Sequence, residues 1–305
     1  MIATSKPQRL GAVLTASTCA VLVACLAACS GSTAPTTARK DSAPAAGVDA
    51  AARAQLPIAI RSSGVLNVGT ESDFPPFVSV VGGKEQGFDV DLMAAVAARL
   101  GVKINYEVTG FENLVPGVQG GRYEMAISDF YDTTARQQLV DLVDYYREGL
   151  VLLAKPGNPD HISTGTLCGK TVAAPGGGIP TEVDLPARSK ACTQAGKPAI
   201  VVQSYTEDAN AVLALLNGRA DALEDSSTLA LFTIKRTNGQ LQAASGVFSP
   251  YNVGMVVPKG SSLGKALQTA LNAMIADGSY GAILKEWNLT EGAIPAATMN
   301  VATVP

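Results

Sequence analysis

The sequence predicts an α/β protein of two lobes with a cleft between them, and three observations carry that reading. Short apolar runs closed by glycine alternate with amphipathic stretches, the pattern of strand–helix units on a parallel sheet. The same strand–helix spacing occurs twice, once in the first half of the chain and again after residue 170. A further strand and two helical stretches follow the second set, a final piece beyond the two repeats of the spacing.

Val65 to Gly69 is an apolar run closed by glycine, a strand signal. Asp89 to Leu100 reads as a helix: Asp89 caps it, Leu92, Met93, Val96, Ala97 and Leu100 make one apolar face, and Gly101 stops it. Lys103 to Val108 reads as a strand, Asn113 to Gly120 as a short helix, and Glu124 to Ile127 as the strand after it. The second set begins at the strand Lys170 to Ala174. It continues through the strand Ile200 to Val202, the helix Glu207 to Asn217 and the strand Ala220 to Leu223. Gly254 to Val257 is a last strand, followed by an amphipathic helix from Ser262 to Asp277 and by the segment Tyr280 to Trp287.

With 305 residues the chain suits one large domain or two modest ones. A formal net charge of −3 offers no basic surface to nucleic acid. His161 is the only histidine, which argues against a His-rich metal site, and against a Ser-His-Asp triad unless His161 itself serves. The glycines at 176–178 are not followed by Gly-Lys-Ser/Thr, so a nucleotide-phosphate loop is a poor reading of them. No cofactor and no metal are expected.

Residues 1–29 read as a signal peptide. Lys6 and Arg9 give the positive flank, and an uncharged run of small and apolar residues spans Gly11 to Ala28. It ends in Leu26-Ala27-Ala28-Cys29, which resembles the bacterial lipobox, so Cys29 is the expected lipidation site. Leu22-Val23-Ala24-Cys25 also fits, and the polar stretch that begins directly after Cys29 favours the later cysteine. Residues 30–55, rich in Ala, Ser, Thr, Pro and Gly, read as a flexible tether. The body is therefore expected outside the cytoplasm, held at the membrane. Cys168 and Cys192 are the remaining cysteines, and an oxidising compartment predicts a disulfide between them.

Four blocks in order resemble the solute-binding family 3, the polar-amino-acid-binding proteins of ATP-driven importers. They are Gly69 to Phe77, Gly87 to Leu92, Phe111 to Thr134 with Arg136, and Asp277 to Tyr280 with Trp287. The resemblance covers about Leu56 to Leu289 and implies a two-lobed, type II periplasmic-binding-protein-like fold that closes on its ligand. It implies a first lobe from residues 56–150 plus 256–292, a second from 151–255, and a C-terminal tail at 293–305. Arg136 ends the block Ser128-Asp129-Phe130-Tyr131-Asp132-Thr133-Thr134-Ala135-Arg136, and the resemblance implies that its fork holds a ligand carboxylate. Phe74 and Phe111 fall where rings close on the ligand, and Glu71 at a position that contacts it. Ser128, Asp129 and Tyr131 share the block with Arg136 and are expected at the same site.

Asp225 is the expected partner of a ligand ammonium, with Ser226 and Glu224 as alternatives, because its spacing from Asp221 is one residue shorter than the family's. Gly177 and Gly178 stand where the family carries Gly-Thr-Thr, and their amides are expected to serve as an anion nest. Tyr131 stands where Thr or Ser is common, which would narrow the pocket. Glu71, Asp129, Asp132, Glu224 and Asp225 outnumber the nearby cations and lean away from a dicarboxylic ligand. The resemblance implies a monomeric, lipid-anchored binding protein on the extracytoplasmic face of the cell membrane, working with an ABC permease complex. The competing readings are a ligand sensor for a membrane receptor and a cyclohexadienyl dehydratase-like enzyme with Glu71 or Glu224 as general acid.

Overall fold

The computed structural model describes residues 47–302, so the expected signal peptide and most of the expected tether lie outside the described residues. The tether, expected to reach residue 55, gives way earlier. Ala50–Ala54 form helix α1, and the Asp49 side chain caps it by accepting from the Ala51 and Ala52 amides at 2.8 and 3.0 Å. An alanine-rich run behind a good cap favours helix over coil, and the buried Ala52 anchors it.

Twelve strands and nine further helices follow among the described residues. The strands are β1 (Val65–Thr70), β2 (Asp73–Phe74), β3 (Val78–Val81), β4 (Lys84–Gln86), β5 (Lys103–Val108), β6 (Met125–Tyr131), β7 (Val140–Ala154), β8 (Thr171–Pro175), β9 (Val201–Tyr205), β10 (Ala222–Ser226), β11 (Gln242–Ala243) and β12 (Phe248–Pro258). The helices after α1 are α2 (Ile58–Ser63), α3 (Phe88–Leu100), α4 (Leu114–Gln119), α5 (Thr134–Leu139), α6 (Leu185–Gln194), α7 (Asp208–Leu216), α8 (Ser227–Arg236), α9 (Ser262–Ala276) and α10 (Ser279–Trp287).

The main sheet runs β5-β1-β6-β12-β7-β10-β8-β9, with β11 added beside β7. β5, β1 and β6 are mutually parallel, as are β10, β8 and β9. Between the two triplets lie β12 and β7, antiparallel to each other and to their outer neighbours. The two triplets are the cores of the two lobes, and β7 and β12 carry the chain between them. A strand of 15 residues extends about 50 Å, enough to serve both. The start of β7 pairs with β12 beside β6, and Leu150 to Leu153 pair with β10. Every residue of β7 except Arg147 is buried, so its sequence does not alternate.

α9 packs on α1 and α3, so both ends of the described chain build on the β1 side. The segment after α10 returns across β7: Met299 bridges Val143, the Thr298 hydroxyl donates to Asp144 at 2.6 Å, and Asn300 exchanges bonds with Leu142. Residues 298–300 are therefore fastened to the long strand. Asp89 does not cap α3. The cap position is Gly87, and Asp89 turns inward to accept from the Tyr145 hydroxyl at 2.8 Å, because the first turn of α3 faces the core. Cys168 and Cys192 form a disulfide that ties the segment before β8 to α6.

Candidate functional site

The loops that leave the C-terminal ends of parallel strands converge on one cavity, the place where α/β sheets offer ligand sites. Glu71, Asp73 and Phe74 follow β1, Phe111 follows β5, and Ser128, Asp129 and Tyr131 end β6. Pro175 ends β8 and Gly176 and Gly178 follow it, and Thr206, Glu207 and Asp208 follow β9. Both triplets thus contribute walls to about 450 Å³ of space, part of it open to solvent.

On the β1 side, Glu71 accepts from the Ser128 hydroxyl, and burial pushes its carboxyl up to about 7. Asp129 is 2% exposed, takes a left-handed φ of 49°, and neither of its oxygens has a hydrogen-bond partner. Burial, with Glu148 beside it, holds its carboxyl well above the usual carboxylate range. Phe111 stacks on Phe130 at 4.9 Å, and Tyr131 meets Tyr251 edge-on at 4.3 Å, so rigid rings frame this wall.

Arg136 sits in the first turn of α5, behind the rings, and not among the cavity-lining side chains. Its guanidinium donates to the Tyr131 carbonyl at 3.0 Å and to the Gly177 carbonyl at 2.7 Å, and so stitches the end of β6 to the loop after β8. It lies 5.7–5.8 Å from the ring centroids of Phe111, Phe130 and Tyr131. No described carboxylate comes within 4.0 Å of it, and burial lowers its pKa. It is a partly desolvated cation with no counter-ion and with N–H groups to spare. Gly177 adopts φ +77°, and a Cβ on Gly178 would lie 3.3 Å from the Tyr131 ring, so glycine lets the loop approach this closely.

On the other side, Asp225 is fully buried, does not line the cavity, and burial with Asp208 nearby holds its carboxyl well above the usual carboxylate range. Asp208, at the start of α7, is the acid of that pair that lines the cavity. Ser226 caps α8 by accepting from the Leu229 amide at 3.2 Å. Glu224 is buried beside Asp184 and Arg188, pushed up to about 9 by desolvation. Neither lines the cavity.

The sequence reading named Glu71, Phe74, Phe111, Ser128, Asp129, Tyr131 and Gly178, and the fold brings these together on the cavity. It missed Asp73, Thr206, Glu207, Asp208 and the buried Glu148. Acids at a helix start read as ordinary complements to the helix dipole, and only their position after a parallel strand signals a site.

A two-lobed α/β sheet with a cavity walled by both lobes is an arrangement suited to enclosing a small solute. The chain belongs to the bacterial extracellular solute-binding proteins, family 3, whose model matches residues 66–290. It is 29% identical over 249 residues to an arginine-binding protein of Corynebacterium glutamicum, covering 81% of this chain and 82% of that one. An L-cystine-binding protein of Escherichia coli is 29% identical over 75% of this chain and 84% of its own. Among solved structures, an ancestral arginine-binding protein bound to arginine matches with a TM-score of 0.67 and 32% identity, over 73% of this chain and 98% of that one. An ancestral amino acid-binding protein, described as a precursor of cyclohexadienyl dehydratase, matches with a TM-score of 0.64 and 27% identity, over 75% and 97%.

Proposed function

We propose that this chain is the extracytoplasmic substrate-binding lipoprotein of an ABC importer, and that it captures an amino acid or closely related small zwitterion as its lobes close. The observation that carries the reading is the cavity walled by residues from both strand triplets, beside which Arg136, a guanidinium without a described counter-ion, joins the walls through Tyr131 and Gly177. A ligand carboxylate is the group it lacks. Phe74, Phe111 and Tyr131 enclose the ligand body, and Glu71, Ser128, Asp129 and Asp208, the last backed by Asp225, meet its cationic end. The names of the relatives, arginine- and cystine-binding, support an amino-acid ligand.

Residues 56–150 with 256–292 then move as one lobe and 151–255 as the other, bending where β7 and β12 pass between them. Cys29 supplies the lipid anchor, and the protein works as a monomer beside its permease. Of the two acids considered for catalysis, Glu71 lines the cavity and Glu224 does not, and the binding names of the relatives support capture of the ligand over its transformation.

A thermal-shift screen of the purified body against amino acids, amines and prephenate tests this. A saturable rise in Tm with one or a few amino-acid-like compounds is expected. Turnover of prephenate, lost on Glu71→Gln, would sink the binding reading.

A further inference from the structure

Asp132 stands between the block that carries Arg136 and the C-terminal segment. It follows Tyr131 at the end of β6, is 1% exposed, and has both carboxylate oxygens engaged. Oδ1 accepts from the Gln137 side-chain amide at 2.8 Å, and Oδ2 accepts from the Val301 main-chain amide at 3.0 Å. The amide of Asp132 donates to the Asn252 carbonyl on β12 at 2.8 Å. Gln137 is the residue after Arg136, and Thr133 caps α5 by accepting from the Arg136 amide at 3.1 Å. Asp132 thus clamps the first turn of α5 back onto the end of β6. That turn carries the guanidinium that reaches the Tyr131 and Gly177 carbonyls.

The segment that meets Asp132 is itself held. The Ala297 carbonyl accepts from Gln268 at 3.1 Å and from Asn272 at 3.3 Å, both on α9. The Thr298 hydroxyl donates to Asp144 at 2.6 Å, and Asn252 donates to the same oxygen at 3.1 Å. Asn300, at a left-handed φ of 53°, accepts from the Leu142 amide and donates to Asp141, each at 2.9 Å. Contacts therefore close a ring from Asp132 through Asn252, Asp144 and residues 298–301 back to Asp132. A buried carboxylate is costly unless donors meet its oxygens. Without the Val301 amide, Asp132 would turn towards water and release Gln137, and the turn beneath Arg136 would lose its fixed place. All of these C-terminal residues lie beyond residue 290, where the match to the family model ends.

We propose that Asp132 is a positioning residue for ligand binding, and that residues 298–301 form a strap that acts through it to set Arg136 at the site. This rests on the solute-binding reading above and deepens it, because the strap affects affinity only if Arg136 holds a ligand carboxylate.

Calorimetric titration of the purified body with L-cystine and the standard amino acids finds the compound that the wild type binds most tightly, and the variants are then titrated with that compound well below their Tm. The variants are a chain ending at Ala297, Asp132→Asn, and Asp132→Asn combined with Gln137→Glu. The first two should weaken binding about tenfold or more, the loss of one of the two charged hydrogen bonds that the guanidinium offers. The combined variant should recover most of the affinity, since the new amide donates to the new carboxylate while its oxygen still accepts from Val301. Cys168→Ala with Cys192→Ala, which lowers stability elsewhere in the fold, should keep the wild-type Kd. Should the shortened chain fail to fold, Asn300→Ala takes its place, because it loosens the strap and leaves Asp132 intact. A wild-type Kd with a lowered Tm in the strap variant makes the strap a fastening only and overturns the proposal. A wild-type Kd in Asp132→Asn, or a weakened one that Gln137→Glu does not restore, overturns Asp132 as the intermediary. Equal weakening in the cysteine variant ascribes the effect to general loss of stability and also overturns it. Each of these leaves the solute-binding reading standing, whereas binding of none of the compounds to the wild type overturns that reading and the proposal with it.

Discussion

Replacing Arg136 with alanine is the sharpest test of the binding site. The guanidinium spends donors on the Tyr131 and Gly177 carbonyls and faces no carboxylate, so a ligand carboxylate would take its remaining N–H groups. Each hydrogen bond to a charged group contributes about 1.5–3 kcal/mol. Loss of two therefore weakens binding by about 10²- to 10⁴-fold. With ligand at about 100 times the wild-type Kd, binding stabilises the protein by about 2.7 kcal/mol. In a domain of this size that is a rise in Tm of about 5–11 °C. Arg136→Ala should abolish the rise, measured by thermal shift with the best amino acid of the screen. The unliganded variant should also melt a few degrees lower, because the strut between the two walls is gone. Arg136→Lys keeps the charge without the planar fork and should recover only part of the rise. A full wild-type rise in Arg136→Ala would refute the carboxylate clamp, and a lowered Tm with an unchanged rise would leave Arg136 a structural strut.

Two further outcomes follow from the fold. The Cys168–Cys192 bridge joins residues 24 apart, and closing a loop of that length stabilises by about 3.4 kcal/mol on the chain-entropy account. The double alanine variant should melt about 7–14 °C lower yet still bind ligand, and a drop of under about 1 kcal/mol in urea unfolding would contradict that account. Burial pushes Glu71 and Asp144 up to about 7 from their ordinary 4.5 and 3.8. Folding thus favours their protonated forms, so the unliganded protein should lose stability as pH rises from about 4 to about 7, and Glu224, pushed up to about 9, extends the loss beyond that. Urea midpoints measured at pH 5, 6, 7 and 8 check this, and a midpoint that climbs with pH over that range would refute it.

What the sequence made legible depended on how far each feature's neighbours lay along the chain. β1 and α3 announce themselves locally, through a glycine-closed apolar run and a periodic face, and both form close to where they are expected. β7 gives no such signal. Its run Val140-Asp141-Leu142-Val143-Asp144-Tyr145-Tyr146 mixes acids with apolar residues on both faces, because Asp141 and Asp144 hold the returning C-terminal segment through Asn300 and Thr298. A strand whose polar residues are satisfied by chain more than 150 positions away cannot be recognised from alternation. The site divides in the same way. The block from Ser128 to Arg136 was readable because its members follow one another at the end of β6. Asp208 was not, because its role comes from the parallel register of β9 with β8, which sets the start of α7 opposite the end of β1. Asp225, expected to be the acid that meets the ligand, lies behind Asp208. The two acids rather than either alone are therefore the unit on which substitutions should be read, since burial and then Asp208 raise the Asp225 carboxyl, and removing one acid shifts the titration of the one that remains.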